Sequence, residues 1–499
     1  MTDLVSVLLS FPPQPPAPEI TSEIEYDRKA HVLLSSLRRI PTKDLLGNIT
    51  SRQSLLDTLD PEKQSLSYLF VLLAHHQGWE TSVDQHLSGH TRPGGAVWCK
   101  SVNFLCVFDP VQVRYAGHEF NKLVDCVAKI SEYASQQKPL AAVKPVRQAL
   151  LRLDPSCSTF TSIHTTFAHL CLLAQCYLPA TGILDKDICH FPTAADKTFL
   201  KRFQLLPCQQ HPSSVSYITM ASGLPGLINY KSSLEYFLYG AMIYIGLKRW
   251  GKARHFLEIA ISAPTGNCIS MAMVEAHKKW ILVNLLEKGT VPAIPHAVSR
   301  SAAKAYKPLV KPYSALGIIF KAGSLSRLEA EIYAGMDIWQ KDKNTGLVFQ
   351  LLNALRRCSV LKLDQTFAAL TLPDVLRFSM SDQFDRVVEP FVVELLAARR
   401  LDARLFQASN SVDPTILRFG HSFATMGGAM ETRLWDRLKA QKQRMDILLG
   451  NVYGTDVKLE LGREYIEGLR KAKWRKNESD LGDNSATVDF EEDMMADLR

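Results

Sequence analysis

The 499-residue sequence contains no CxxC pair among its 10 cysteines. They stand at 99, 106, 126, 157, 171, 176, 189, 208, 268 and 358, so no two thiolates share the tight turn that a zinc ribbon or thioredoxin-like site requires. Several, Cys106 and Cys171 among them, fall on helical apolar faces, which predicts reduced core cysteine. Long apolar runs are missing as well: none approaches the ~20 residues that a membrane span needs. The opening MTDLVSVLLS is apolar but has no basic flank, and Asp3 occupies a position where a secretory signal wants Lys or Arg. These absences predict an intracellular protein, away from membranes. The sequons at Asn48 and Asn477 then carry no weight.

Catalytic patterns are absent too. There is no HExxH, no GxxxxGK[ST] and no GxGxxG opening a helix after a strand. A metal-dependent isopeptidase needs His-x-His with a carboxylate, and no His-x-His occurs. His75 and His76 are adjacent, so on a helix their side chains diverge by about 100° and chelate poorly. His86 and His90 have the right i, i+4 spacing, but Gly89, Pro93, Gly94 and Gly95 make that stretch a loop. GHSFA at 420–424 resembles a nucleophile elbow, yet it follows a β-wing rather than a strand of a parallel sheet. The sequence therefore predicts no enzyme, no catalytic residue, no metal and no cofactor.

What is present is helix. Apolar residues make up 46% and charged residues 22%, the composition of a soluble globular chain with a large core. Residues 11–19, FPPQPPAPE, form an extended proline-rich leader. From about Ile20 to Leu285 helical spacing dominates. In SIHTTFAHLCLLAQCYL, for example, Ile163, Phe167, Leu170, Cys171 and Ala174 share one face. The clusters of Pro, Gly and Ser across 207–233 read as a loop, part of a surface insertion at 190–233. In SLEYFLYGAMIYIGLKRWGKARHFLEIAISAP, Phe237, Ala241 and Tyr244 mark one helix. Ala253, Leu257 and Ala260 mark a second, closed by Pro264. This is nearly tetratricopeptide spacing. The alanines let the helices cross closely while the large residues fill the groove, and such a unit needs stacked neighbours. Helices at 270–287, 302–321, 324–340 and 345–358 continue the series.

Near residue 359 the pattern changes. VLKLDQTFAALTLPDVLRFS reads as a short extended piece followed by a helix capped by Thr371, with Pro373 and Asp374 in its first turn. A longer helix from Asp382 carries Phe384, Val387, Val388, Phe391, Val392, Leu395 and Leu396 on one side. LDARLFQA and TILRFG then form a hairpin around SNSVDP. Helix, helix, hairpin is the winged-helix plan. A final helix begins near Gly428, with Met430, Leu434, Leu438, Gln441, Met445, Leu448 and Val452 in a heptad-like seam that wants partner helices.

The formal charge of +8 hides an asymmetry. Residues 478–499 hold 8 acidic residues and one basic, a net of −7, which leaves +15 for the rest. The basic stretch Arg463–Lys476 precedes that acidic tail, and both read as a solvated end. In the candidate recognition helix, Asp382, Asp385, Glu389 and Glu394 offset Arg386, Arg399 and Arg400, a poor balance for entering a major groove. Direct nucleic-acid binding is therefore not expected.

Helical hairpins feeding a winged helix resemble the PCI-domain family, shared by scaffold subunits of the proteasome lid, the COP9 signalosome and translation initiation factor 3. Within it the chain resembles the signalosome's subunit 3 family. The likeness is carried by FTSIH (160–164), LCLLAQCYLPA (170–180), LDKDIC (184–189), the 236–264 hairpin and MVEAHKKWILVNLLEKG (273–289). It is looser from 290 to 422, and it spans about residues 20–450. The proline-rich leader, the 190–233 insertion and the extension from about 453 depart from it. The resemblance implies a non-catalytic scaffold in the complex that removes Nedd8 from cullins and so regulates cullin–RING ubiquitin ligases, the isopeptidase zinc belonging to another subunit. It further implies that the winged helix joins neighbours edge to edge and the C-terminal helix enters a shared bundle, with subunits 1 and 8 adjacent. A scaffold of the proteasome lid or initiation factor 3 stays open, as does a nucleic-acid-binding winged-helix protein.

The expected fold is thus mainly α. A leader (1–19) precedes N-terminal helical repeats (20–229, with the 190–233 loop). A PCI domain (230–422) follows, with helical repeats to 358 and a winged helix over 359–422. C-terminal helices (428–475) and an acidic disordered tail (476–499) complete the chain.

Overall fold

The computed structural model describes residues 2–11, 23–46, 48–50, 53–81, 92–134, 139–192, 213–264, 269–379, 388–397, 401, 403–406, 415–419, 428–460, 462 and 465–471. The fold is mainly α, built from antiparallel helices that stack in chain order around one long core.

The first part of the expected leader is folded. Thr2–Leu9 is a helix; Leu8 and Phe11 are buried, and Ser67 Oγ donates to the Leu8 carbonyl at 2.8 Å. Its apolar residues, read by sequence as a bare start, find a groove that a local pattern cannot announce. In Glu23–Leu37 the buried set is Ala30, Leu33, Leu34 and Leu37, the i, i+3, i+4, i+7 stripe of an amphipathic helix. Ser65–Thr81 differs: Leu66, Tyr68, Leu69, Val71, Leu72 and Ala74 cover several faces, which marks a helix surrounded by others. Gly117–Ala134 packs beside it, Leu140–Leu153 packs on Gly117–Ala134 rather than on Ser65–Thr81, and Ser162–Leu173 packs on both of these later helices.

The expected surface insertion is also partly core. Residues 213–229 pass against the Gly117–Ala134 helix, burying Tyr217, Ile218 and Leu224. Asn121 Nδ2 donates to the carbonyls of Gly223 (2.8 Å) and Leu224 (2.9 Å), and the Tyr217 hydroxyl donates to the Leu153 carbonyl at 2.9 Å. A Cβ at Gly117 would lie 2.4 Å from the Leu224 nitrogen, so backbone meets backbone there. A polar, turn-rich sequence looks like surface loop, but here its carbonyls find buried donors.

Tyr230–Gly246 and Trp250–Ile261 form the expected hairpin, and Met271–Lys288 packs on it. The next two helices are each divided. Arg300–Leu309 and Lys311–Ala322 are separated at Val310, before Pro312, while Leu325–Ala334 and Met336–Lys341 meet at Gly335. A proline cannot donate its nitrogen to the helix ladder, which fixes the first break.

Thr345–Leu363 runs 19 residues, past the expected end at 358. The change of domain falls inside this continuous helix: Val348, Leu351, Ala354 and Leu355 join the long core, whereas Val360 and Leu363 join a second, smaller one. That second core contains Leu370, Val375, Val392, Leu395, Leu401, Leu417 and Phe419. Above it lie the helices Leu372–Ser379 and Val388–Ala397, and a three-stranded antiparallel sheet. Ile416–Phe419 is the central strand, with Ala369–Thr371 and Ala403–Phe406 as its edges. Thr371 caps the following helix, accepting from the Asp374 nitrogen at 3.3 Å and donating to its carboxylate at 2.6 Å. The chain ends its described course in Gly428–Glu460, a helix of 33 residues.

Candidate assembly interface

Three features of the fold bear on what the molecule can hold. The first is the hairpin. Ala241, Tyr244, Ala253, Leu257 and Ala260 are buried, and Phe237 is half-buried at the rim. The closest approach is not at the alanines alone. Phe256 lies 5.3 Å from Tyr244 and 5.7 Å from Phe237, ring centre to ring centre, and a Cβ at Gly240 would be 2.6 Å from the Phe256 ring. Gly240 and Phe256 therefore set the crossing, and their signal in the sequence was only their place next to Ala241 and Leu257.

The second feature is the segment LDKDIC, which sits between the hairpin and the long C-terminal helix. Asp185 accepts from Lys252 Nζ at 2.6 Å and from the Tyr244 hydroxyl at 2.5 Å, with Arg249 at 3.7 Å. Asp187 accepts from both Arg444 Nε (2.7 Å) and an Arg444 terminal nitrogen (2.6 Å), a two-pronged pairing. Asn451 Nδ2 reaches Cys189 Sγ at 3.0 Å. Arg444 and Asn451 are seven residues apart and so share one face of the helix. A cleft of about 380 Å³ lies under Arg444, lined in part by Asp185, Tyr244, Lys252 and Phe256.

The third feature is the seam. At about 100° per residue it lies roughly 90° around the helix from Arg444 and Asn451, so the clasp leaves it uncovered. Leu434 (43%), Leu438 (56%), Met445 (62%), Leu448 (39%) and Val452 (55%) are all exposed. Met430 lies within the helix but its side chain is outside the described residues. Trp435, Leu449 and Tyr453 are exposed beside the seam, widening the apolar stripe beyond what one partner helix covers.

Of the residues tested for chemistry, His75 and His76 are described. His76 is buried with Nε2 at 2.9 Å from Ser101 Oγ, while His75 is half-buried. Among the described residues no group of three or more His, Cys, Asp or Glu comes together as a metal site. His86, His90 and GHSFA lie outside the described residues. Burial pushes the Cys157 and Cys171 thiols up to about 12, which keeps them protonated and unreactive. Among the described residues no helix is long and apolar enough to cross a membrane.

Residues 32–209 and 211–301 match the family described as COP9 signalosome complex subunit 3, N-terminal helical repeats. A curated protein of Emericella nidulans, named COP9 signalosome complex subunit 3, is 34% identical over 506 aligned residues, covering 100% of both chains. The chain belongs to the COP9 signalosome subunit 3 family. An Arabidopsis thaliana protein of the same name is 30% identical over 323 residues, 64% of each chain. The family match begins at Val32, inside the Glu23–Leu37 helix, and ends at Ser301, inside Arg300–Leu309. It therefore takes in the hairpin and LDKDIC, while the winged helix and the seam helix lie beyond it and within the full-length relative's alignment.

Proposed function

We propose that the chain is a non-catalytic scaffold subunit of the COP9 signalosome, supporting the removal of Nedd8 from cullins and thereby regulating cullin–RING ubiquitin ligases in cytoplasm and nucleus. The observation that carries this reading is the exposed stripe from Leu434 to Val452 on a helix already clasped to the body of the chain. A monomer rarely leaves so continuous an apolar surface in water, and a bundle of partner helices would cover it. The Ala403–Phe406 edge supports the second contact expected of the family: it presents backbone donors and acceptors to which a neighbour's strand can add. Subunits 1 and 8 are the neighbours this reading assigns, and cullin–RING ligases are reached only through the assembled complex.

The test is purification of the tagged full-length chain from its own cells, followed by mass spectrometry. Recovery of the other signalosome subunits is the expected result. Recovery of proteasome-lid or initiation-factor subunits instead would replace the assembly, and salt-sensitive binding of duplex DNA with no subunit recovered would replace the function. The isolated chain should leave a neddylated cullin uncleaved.

A further inference from the structure

The outer face of the wing sheet places like charges where they repel. Leu417 and Phe419 of the central strand point into the second core, so Ile416 and Arg418 point out. In the edge strand Arg404 and Phe406 are likewise exposed. The register sets Arg404 directly opposite Arg418, and Phe406 directly opposite Ile416. Directly opposed residues have Cβ atoms about 5 Å apart, and a like-charged pair at that spacing is destabilising. None of the ion pairs among the described residues uses either arginine. The face is therefore a row of two guanidiniums beside a row of two exposed apolar side chains.

We propose that this face is the docking site of the chain's own acidic segment, residues 489–498. Its sequence, DFEEDMMADL, carries Asp489, Glu491, Glu492, Asp493 and Asp497 with no basic residue, interleaved with Phe490, Met494, Met495 and Leu498. Carboxylates would relieve the arginine pair through forked hydrogen bonds, and the aromatic and thioether groups would cover Phe406 and Ile416. A nucleic acid would satisfy the arginines through its phosphates but leave that apolar row in water, so an acidic polypeptide fits better. Nineteen residues separate Lys471 from Phe490, up to ~65 Å of extended chain, more than the length of about 50 Å of the Gly428–Glu460 helix. This inference does not depend on which assembly the chain joins.

The test uses the full-length chain with the photo-crosslinking residue p-benzoylphenylalanine at Phe406, and mass spectrometry locates the adducts. Crosslinks into 489–498 are expected, and they should fall about tenfold in Arg404→Gln/Arg418→Gln. Neutralising the segment with Asp489→Asn, Glu491→Gln, Glu492→Gln and Asp493→Asn should reduce them equally. Crosslinks elsewhere, or unaltered by both sets of substitutions, would overturn the proposal. Mixing isotopically heavy and light chains separates the sources: heavy–light adducts would mean a second copy's tail and overturn the intrachain contact. Arginine-dependent binding of a duplex DNA without tail adducts would overturn it in favour of nucleic acid.

Discussion

Lys248 adopts φ 55°, in the left-handed region that costs a side-chain-bearing residue about 1 kcal/mol. It does so because the hairpin turn closes as a Schellman motif, with Arg249 N donating to Tyr244 O at 2.9 Å and Lys248 N to Ile245 O at 2.9 Å. The same pattern recurs at Gln175 (φ 52°) and Lys343 (φ 53°), where Cys176 bonds back to Cys171 and Asn344 to Trp339. Lys248→Gly should therefore stabilise the fold by about 0.5–1 kcal/mol, read as a higher urea midpoint with unchanged slope. Three buried histidines act in the other direction. Burial holds His76, His164 and His277 down at about 4, from 6.5 when free. His277 lies stacked between Trp280 and Tyr306, with neither ring nitrogen hydrogen-bonded. Below pH 6.5 the unfolded chain takes up protons that the folded chain refuses, so stability falls from pH 6.5 down to about 4 and levels off beyond. Urea melts across that window check the slope, and His277→Phe should remove about a third of it if the three sites contribute equally.

At the scale of an element, the hairpin shows how far a local pattern reaches. Ala253 is buried where two helices cross, so Ala253→Trp should overpack the crossing and cost about 1–3 kcal/mol or more, seen as a lower melting temperature. The pattern 237, 241, 244 and 253, 257, 260 was legible because helical period alone puts those residues on facing stripes. Gly240 was not, because the need for a hydrogen there arises from the Phe256 ring of the other helix. The Asp342 carboxylate illustrates the same limit. It accepts from Lys278 Nζ at 2.8 Å and from the Tyr313 hydroxyl at 2.8 Å, joining three elements; burial opposes its charge, but those partners hold the acid below its ordinary range. Nothing within ten residues of Asp342 announces that role.

For the molecule as a whole, the long helix divides its duties by face. Arg444 and Asn451 fasten it to LDKDIC, and the stripe from Leu434 to Val452 faces outward. Leu438→Asp should therefore leave the fold and its melting temperature within about 0.5 kcal/mol of the parent, since an exposed site has no core to disturb. The same change should abolish recovery of partner subunits; full assembly by the variant would show that the seam is not the bundle contact. Placement of the domain change within Thr345–Leu363 adds a mechanical point. A continuous helix enters both cores, so the winged helix joins the repeats through helix rather than through a loop.

The sequence by itself determined the helical class, the hairpin, the winged helix and the seam, because each is written in a period of two or of about 3.6 to which side chains within a few turns respond. Its motif absences also set out in advance which chemistry to look for. Tertiary structure decided the rest. It drew residues 2–11 and 213–229 into the core through donors such as Ser67 and Asn121 that no local pattern links to them. It also joined Asp187 to Arg444 across 257 residues, a pairing that only the packed chain brings within hydrogen-bond range. The seam was visible as a repeat from the start; that it faces water, clasped from one side, is a fact of packing.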